Sequence, residues 1–204
     1  MKTQFLGERE PFKCIAHAAK LSDWAWDANT PNRLFDDYIN QSGLHVFKSI
    51  SYRRANRIVI SAFVERWQPE TNTFHIPFGE MTITLNDVPT LVGITVMGRS
   101  ISRPRRLTDA KDVLVNLLDV SEQDAREKFG LVCGSSVRLE WLHYKFSYVT
   151  DAHSERWIQC AARAYLLYLV GCTLFSDKSE TRVSIKYLQL FEVRFHRMLG
   201  KLLY

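Results

Sequence analysis

Ala164–Phe175, AYLLYLVGCTLF, is a run of twelve residues without a charge. A chain that contains such a run must enclose it on several sides or place it in lipid. As a helix it would rise about 18 Å, well short of a hydrocarbon core about 30 Å thick, and Arg163 sits at its start. The run therefore reads as core. Upstream, Trp157, Ile158 and Ala161 continue it at helical spacing back to Asp151, which predicts one long helix to Phe175 as the centre of the fold.

The remaining composition suits that centre. The 204 residues are 46% hydrophobic and 24% charged, with twelve Phe, eight Tyr and five Trp, enough for one globular domain around a single core. The formal net charge of +5 is compatible with nucleic acid or an acidic partner without selecting either. Cys14, Cys133, Cys160 and Cys172 have no paired spacing, and the charged start MKTQFLGEREPFKC has no apolar stretch of signal-peptide length. A reducing compartment, nucleus or cytosol, is the expectation.

Along the chain, Trp24 and Trp26 belong to an irregular, partly buried segment. Pro31 suits a first helical turn, with Leu34, Phe35, Tyr38 and Ile39 at helical spacing before Gly43. A second helix is predicted over Arg53–Trp67, its buried face formed by Ile58, Val59, Ala62, Phe63 and Trp67. Thr108 caps a run through Val113, Leu114, Leu117 and Leu118, and Ser121 caps a short helix ending at Gly130. Ser136 precedes a helix over Val137–Tyr148, and Val183–Leu203 is a last apolar and basic segment. The fold class is mainly α: a single helical domain with a small β-hairpin insertion at residues 73–85.

The signals are densest in Phe63–Gly98, FVERWQPETNTFHIPFGEMTITLNDVPTLVGITVMG, around which the rest is expected to be organised. Gln68–Asn72 breaks the preceding helix. Thr73–Ile76 and Met81–Leu85 then read as two strands joined by Pro77–Glu80, with Met81, Ile83 and Leu85 on a dry face. Asn86 is placed to cap a short helix with Asp87 and Pro89 in its first turn and Gly93 at its end. Beyond it, Arg99, Arg103, Arg105 and Arg106 form a basic loop with no acid among them.

Catalytic chemistry finds little support. His75 and Glu80 could form an acid–base pair, but no nucleophile or oxyanion donor accompanies them. Cys14 and His17 lack the second pair a zinc site requires. No phosphate-binding glycine motif, nucleophile elbow or pyridoxal-phosphate lysine constellation occurs. No catalytic, metal or cofactor residues are assigned, and neither a membrane nor a small-molecule substrate is indicated. Arg53, Arg54 and Arg57, with the loop from Arg99 to Arg106, remain candidate contacts to nucleic acid or an acidic partner through bidentate arginine hydrogen bonds.

Glu65–Ile94, ERWQPETNTFHIPFGEMTITLNDVPTLVGI, followed by Gly98, closely resembles the signature of the plant mobile domain, a family also labelled aminotransferase-like. Ala162–Ser179, ARAYLLYLVGCTLFSDKS, resembles its later helix and turn. The matching motif positions are Glu65, Arg66, Trp67, Phe74, Gly79, Glu80, Asp87 and Gly93. The resemblance covers Gly43 to Leu190 and implies a domain over residues 43–190, a helical N-terminal extension over 1–42 and a divergent tail over 191–204. It further implies a transposon-related plant protein of the nucleus, tied to meristem maintenance and gene silencing. It brings no catalytic residues, despite the label. A protein partner of phosphatase-like or chromatin type is implied, and a transposon-derived nucleic-acid-binding domain is the alternative. Residues 191–204 depart from the family, which predicts a truncated member whose Ala164–Phe175 helix lacks packing partners and leaves apolar surface open.

Overall fold

The fold is given by a computed structural model that describes residues 21, 23–24, 32–49, 56–93, 110–124, 135–175 and 181–191. The α-helices are α1 (Arg33–Gln41), α2 (Arg57–Arg66), α3 (Asp87–Val92), α4 (Ala110–Leu118), α5 (Leu139–Phe146) and α6 (Glu155–Thr173). Leu44–Ser49 and Ile185–Phe191 are 3-10 segments. β1 (Trp67–Gln68), β2 (Thr73–Ile76) and β3 (Gly79–Met81) form one antiparallel sheet in that order, and β4 (Ser136–Arg138) pairs with β5 (Arg182–Ser184) in another. The fold is mainly α, with a small hairpin, as the sequence predicts.

Helix α6 is the central element. Every residue from Ala164 to Cys172 is buried, and α1, α4, α5, β5 and both 3-10 segments pack around it. Phe35 and Ile39 from α1, Leu114 and Leu118 from α4, and Leu139, Leu142 and Phe146 from α5 join Leu166, Leu167 and Leu169 in one cluster. Each such side chain contributes about 1.5–3 kcal/mol by leaving water. The expectation that Ala164–Phe175 lacks packing partners is thus overturned for Ala164–Cys172, while Leu174 beyond it is 43% exposed. The start of α6 also lies later than predicted. Ser154, not Asp151, is the N-cap, its Oγ accepting from the Trp157 amide at 3.3 Å.

Asp151 has another role. Asn32 is buried and caps α1 in place of a proline in its first turn, its side-chain oxygen accepting from the Phe35 amide at 2.9 Å. The other end of the same amide, Nδ2, donates to Asp151 Oδ1 at 2.8 Å. One residue therefore fixes the start of α1 to the turn that precedes α6. Tyr38 Oη donates to Glu155 at 2.9 Å and accepts from Gln159 Nε2 at 2.9 Å, repeating the tie one turn along.

The β4–β5 ladder was not anticipated. Val137 opposes Val183, both buried, and the flanking bonds Leu139 N to Thr181 O and Ile185 N to Ser135 O, 2.8 Å each, extend the pairing at both ends. The helix predicted to begin at Val137 therefore begins at Leu139. Val183, predicted to open an apolar and basic segment, lies within a strand. Trp24 is buried against Tyr165, Tyr168 and His143 in edge-on contacts, as a partly buried aromatic segment would place it.

Candidate interaction surface

The densest stretch of the sequence does not form the centre of the fold. None of the apolar side chains of residues 56–93 joins the core cluster among the described residues. Helix α2 instead carries its apolar side outward. Asn56 caps it, its Oδ1 accepting from the Ile58 amide at 3.0 Å, so the helix starts at Arg57 rather than Arg53. Its buried residue is Ser61, whose hydroxyl donates to the Arg57 carbonyl at 2.7 Å. Ile58, 68% exposed, Val59, Phe63 and Val64 face solvent, which reverses the burial predicted for this helix.

Three aromatic rings hold the strands to α2. Phe74 on β2 meets Phe63 edge-on at 5.3 Å between centroids and Trp67 at 4.8 Å. Each edge-on pair adds about 0.5–1.5 kcal/mol beyond its area, and Trp67 in β1 pairs directly with Phe74 across the sheet. The hairpin turn is tighter than predicted. Pro77 and Phe78 alone connect the strands, Gly79 starts β3 at φ +140°, and Phe78 at the tip is 87% exposed. Such a φ strains any residue with a β-carbon, which explains glycine there.

β3 ends at Met81, so Thr82–Leu85 is not strand, and the predicted dry face is wet: Met81, Leu85 and Ile83, 64% exposed, are open. The cap of α3 also differs. Asn86 makes no side-chain cap bond. Asp87 Oδ2 instead accepts from the amide and the hydroxyl of Thr84, both at 2.7 Å. Those two donors, the backbone amide foremost, hold the Asp87 carboxyl below the ordinary aspartate range. Gly93 ends α3 in the left-handed conformation at φ 73°, as predicted, and Leu91 is 66% exposed.

His75 and Glu80 are register partners on β2 and β3, with Nε2 and Oε1 2.9 Å apart. Glu80 Oε2 also accepts from the Thr73 hydroxyl at 3.2 Å. The pair is exposed and supports strand pairing. Burial pushes the Cys160 thiol up, away from the thiolate a nucleophile needs, and Cys172 is likewise a buried free thiol. No group of three metal-ligating side chains converges among the described residues, and no helix there is long and apolar enough to cross a membrane.

Of the arginines predicted as contacts, Arg57 lies exposed at the start of α2. Arg53, Arg54, Arg99, Arg103, Arg105 and Arg106 fall outside the described residues, as do Cys14, His17, Trp26 and Cys133. The motif positions Glu65, Arg66, Trp67, Phe74, Gly79, Glu80, Asp87 and Gly93 all fall within the α2–β3–α3 unit. Arg66 donates back to the Ala62 carbonyl at 2.8 Å, and Glu65 is exposed. The missed feature is the outward direction of the apolar residues, since periodicity locates a stripe but not what covers it.

The family model for the plant mobile domain matches residues 43–199. Three similar proteins come from Arabidopsis thaliana. Protein MAIN-LIKE 1 is 38% identical over 189 residues, covering 91% of this chain and 35% of that protein. Protein MAINTENANCE OF MERISTEMS is 35% identical over 186 residues, covering 91% and 37%. A serine/threonine-protein phosphatase 7 long form homolog is 31% identical over 172 residues, covering 83% of this chain and 12% of its own length. The chain thus spans little more than a third, at most, of these relatives. No solved structure matches it. With the family model spanning most of its length and relatives of the same kind alongside, the chain belongs to the plant mobile domain family.

Proposed function

We propose that the chain is a non-enzymatic protein-interaction module of the nucleus, acting in meristem maintenance and in the silencing of transposons or genes. The observation that carries this reading is the reversed amphipathicity of α2, with Ser61 inside and Ile58, Val59, Phe63 and Val64 outside; Phe78, Ile83, Leu85 and Leu91 are exposed as well. Large apolar side chains exposed in this number are the usual mark of a protein contact. The names of the relatives supply the setting: two are named for meristem maintenance or likeness to it, and a third for a phosphatase.

The alternative, a nucleic-acid-binding domain using Arg53, Arg54, Arg57 and the Arg99–Arg106 loop, fits this surface less well. Residues 56–93 carry Arg57 and Arg66 against Glu65, Glu70, Glu80 and Asp87, a net acidic balance that does not favour phosphates. Affinity capture from plant nuclei with the tagged chain tests the reading. A phosphatase-like or chromatin protein held by the wild type and lost from F78D and I83D supports it. Retention by both variants, or capture only of nuclease-sensitive material, overturns it.

A further inference from the structure

Arg138 and Arg182 stand directly opposite each other in the β4–β5 register. Because Val137 and Val183 point into the core, the two arginines share the outer face of the ladder with Ser136 and Ser184. Opposed residues have β-carbons about 4.5–5.5 Å apart, and like charges there are unfavourable unless something neutralises them. Among the described residues no acid pairs with either arginine. Arg182 Nε is buried and donates to nothing. A buried guanidinium donor without an acceptor is costly, and nothing among the described residues resolves that conflict.

Arg138 also borders a cavity of about 450 Å³, lined in addition by Asp23, Glu140, His143 and Tyr168. It is the N-cap residue of α5, where its side chain, having donors only, cannot cap the helix amides. Two arginines opposed across a ladder suit a carboxylate, because guanidinium groups bind carboxylates through paired hydrogen bonds.

We propose that the Arg138–Arg182 pair receives an aspartate or glutamate side chain from an acidic segment of a protein partner. The site lies on a different sheet from the apolar face of residues 56–93 and does not depend on it. Its test uses the purified chain alone, so failure here leaves partner capture through Phe78 and Ile83 standing, and the reverse also holds.

The test is fluorescence anisotropy with a labelled octaglutamate peptide, an octaglutamine peptide and a single-stranded DNA octamer. The wild type is expected to bind octaglutamate in preference to the other two. R138Q and R182Q should each weaken that binding about tenfold or more, since a charge-assisted pair is lost, while K111Q, at an exposed position on α4, changes it much less. Neither substitution should lower the melting temperature, because each relieves an opposed like-charge pair. Arg138 is exposed, so R138Q keeps the test decisive if R182Q does not fold. Absence of octaglutamate binding, unchanged affinity in R138Q, or tighter DNA binding lost in the same variants would overturn the proposal.

Discussion

Gly171 in α6 lies so close to Val183 in β5 that a β-carbon on the glycine would stand 2.8 Å from the Val183 Cβ and 3.0 Å from Leu139 Cδ2. Real β-carbons do not approach this closely, and the Val183 Cβ is tied directly to the strand backbone. The glycine is what lets the β4–β5 ladder rest against the central helix. G171A is expected to destabilise the chain by roughly 1–3 kcal/mol through overpacking, although alanine is the better helix former by about 1 kcal/mol. Urea unfolding of the wild type and G171A measures this. A stabilised variant would mean that β5 does not lie where the structure places it.

Asn32 should be the most sensitive polar residue in the core. N32A removes a helix cap and the bond to Asp151, for a loss of about 1–3 kcal/mol. N32D keeps a capping oxygen but puts a carboxylate beside Asp151, so it should be destabilised at pH 7 and recover as the pH falls to about 4, where carboxylates take up protons. A double-mutant cycle with D151A checks the coupling by thermal unfolding.

Alkaline unfolding should begin near the tyrosine range. Burial pushes the Tyr165 phenol from 10.0 up to about 12 and raises Tyr168 as well. A group whose folded pKa lies above its unfolded value contributes stability that is complete below the unfolded value and is lost as the pH rises through the folded one. The window here is therefore pH 10 to about 12. Y165F should flatten stability across that window by on the order of 2 kcal/mol, read from urea midpoints at pH 9 and pH 11.5.

The legibility of the sequence followed the range of the interactions involved. The burial of Ala164–Cys172 was readable because an uncharged run leaves few alternatives, and Gly93 was readable as a helix stop because a left-handed C-cap favours glycine. The β4–β5 ladder was not, since Val137 and Val183 lie far apart in the chain and each sits in a stretch that also reads as helix. Helix starts were legible only to within a few residues: Asn32 caps α1 just after the predicted Pro31, Ser154 caps α6 three residues after Asp151, and Asn86 precedes α3 without the predicted side-chain bond. For the surface, the apolar spacing of α2 was read correctly and its direction wrongly, because the stripe of Ile58, Val59 and Phe63 is the same whether it meets a core or a partner.

Ile58, Phe78, Ile83, Leu85 and Leu91 form a surface rather than a second core. Thermal unfolding of the double variant F78D/I83D, compared with L166A, tests it most directly. Surface changes cost at most about 0.5 kcal/mol each, so F78D/I83D should melt within about 4 °C of the wild type. L166A, at a fully buried position, should lose about 2–5 kcal/mol and melt many degrees lower. If the double variant falls as far as L166A, these side chains are packed in the free protein and the interaction surface does not exist.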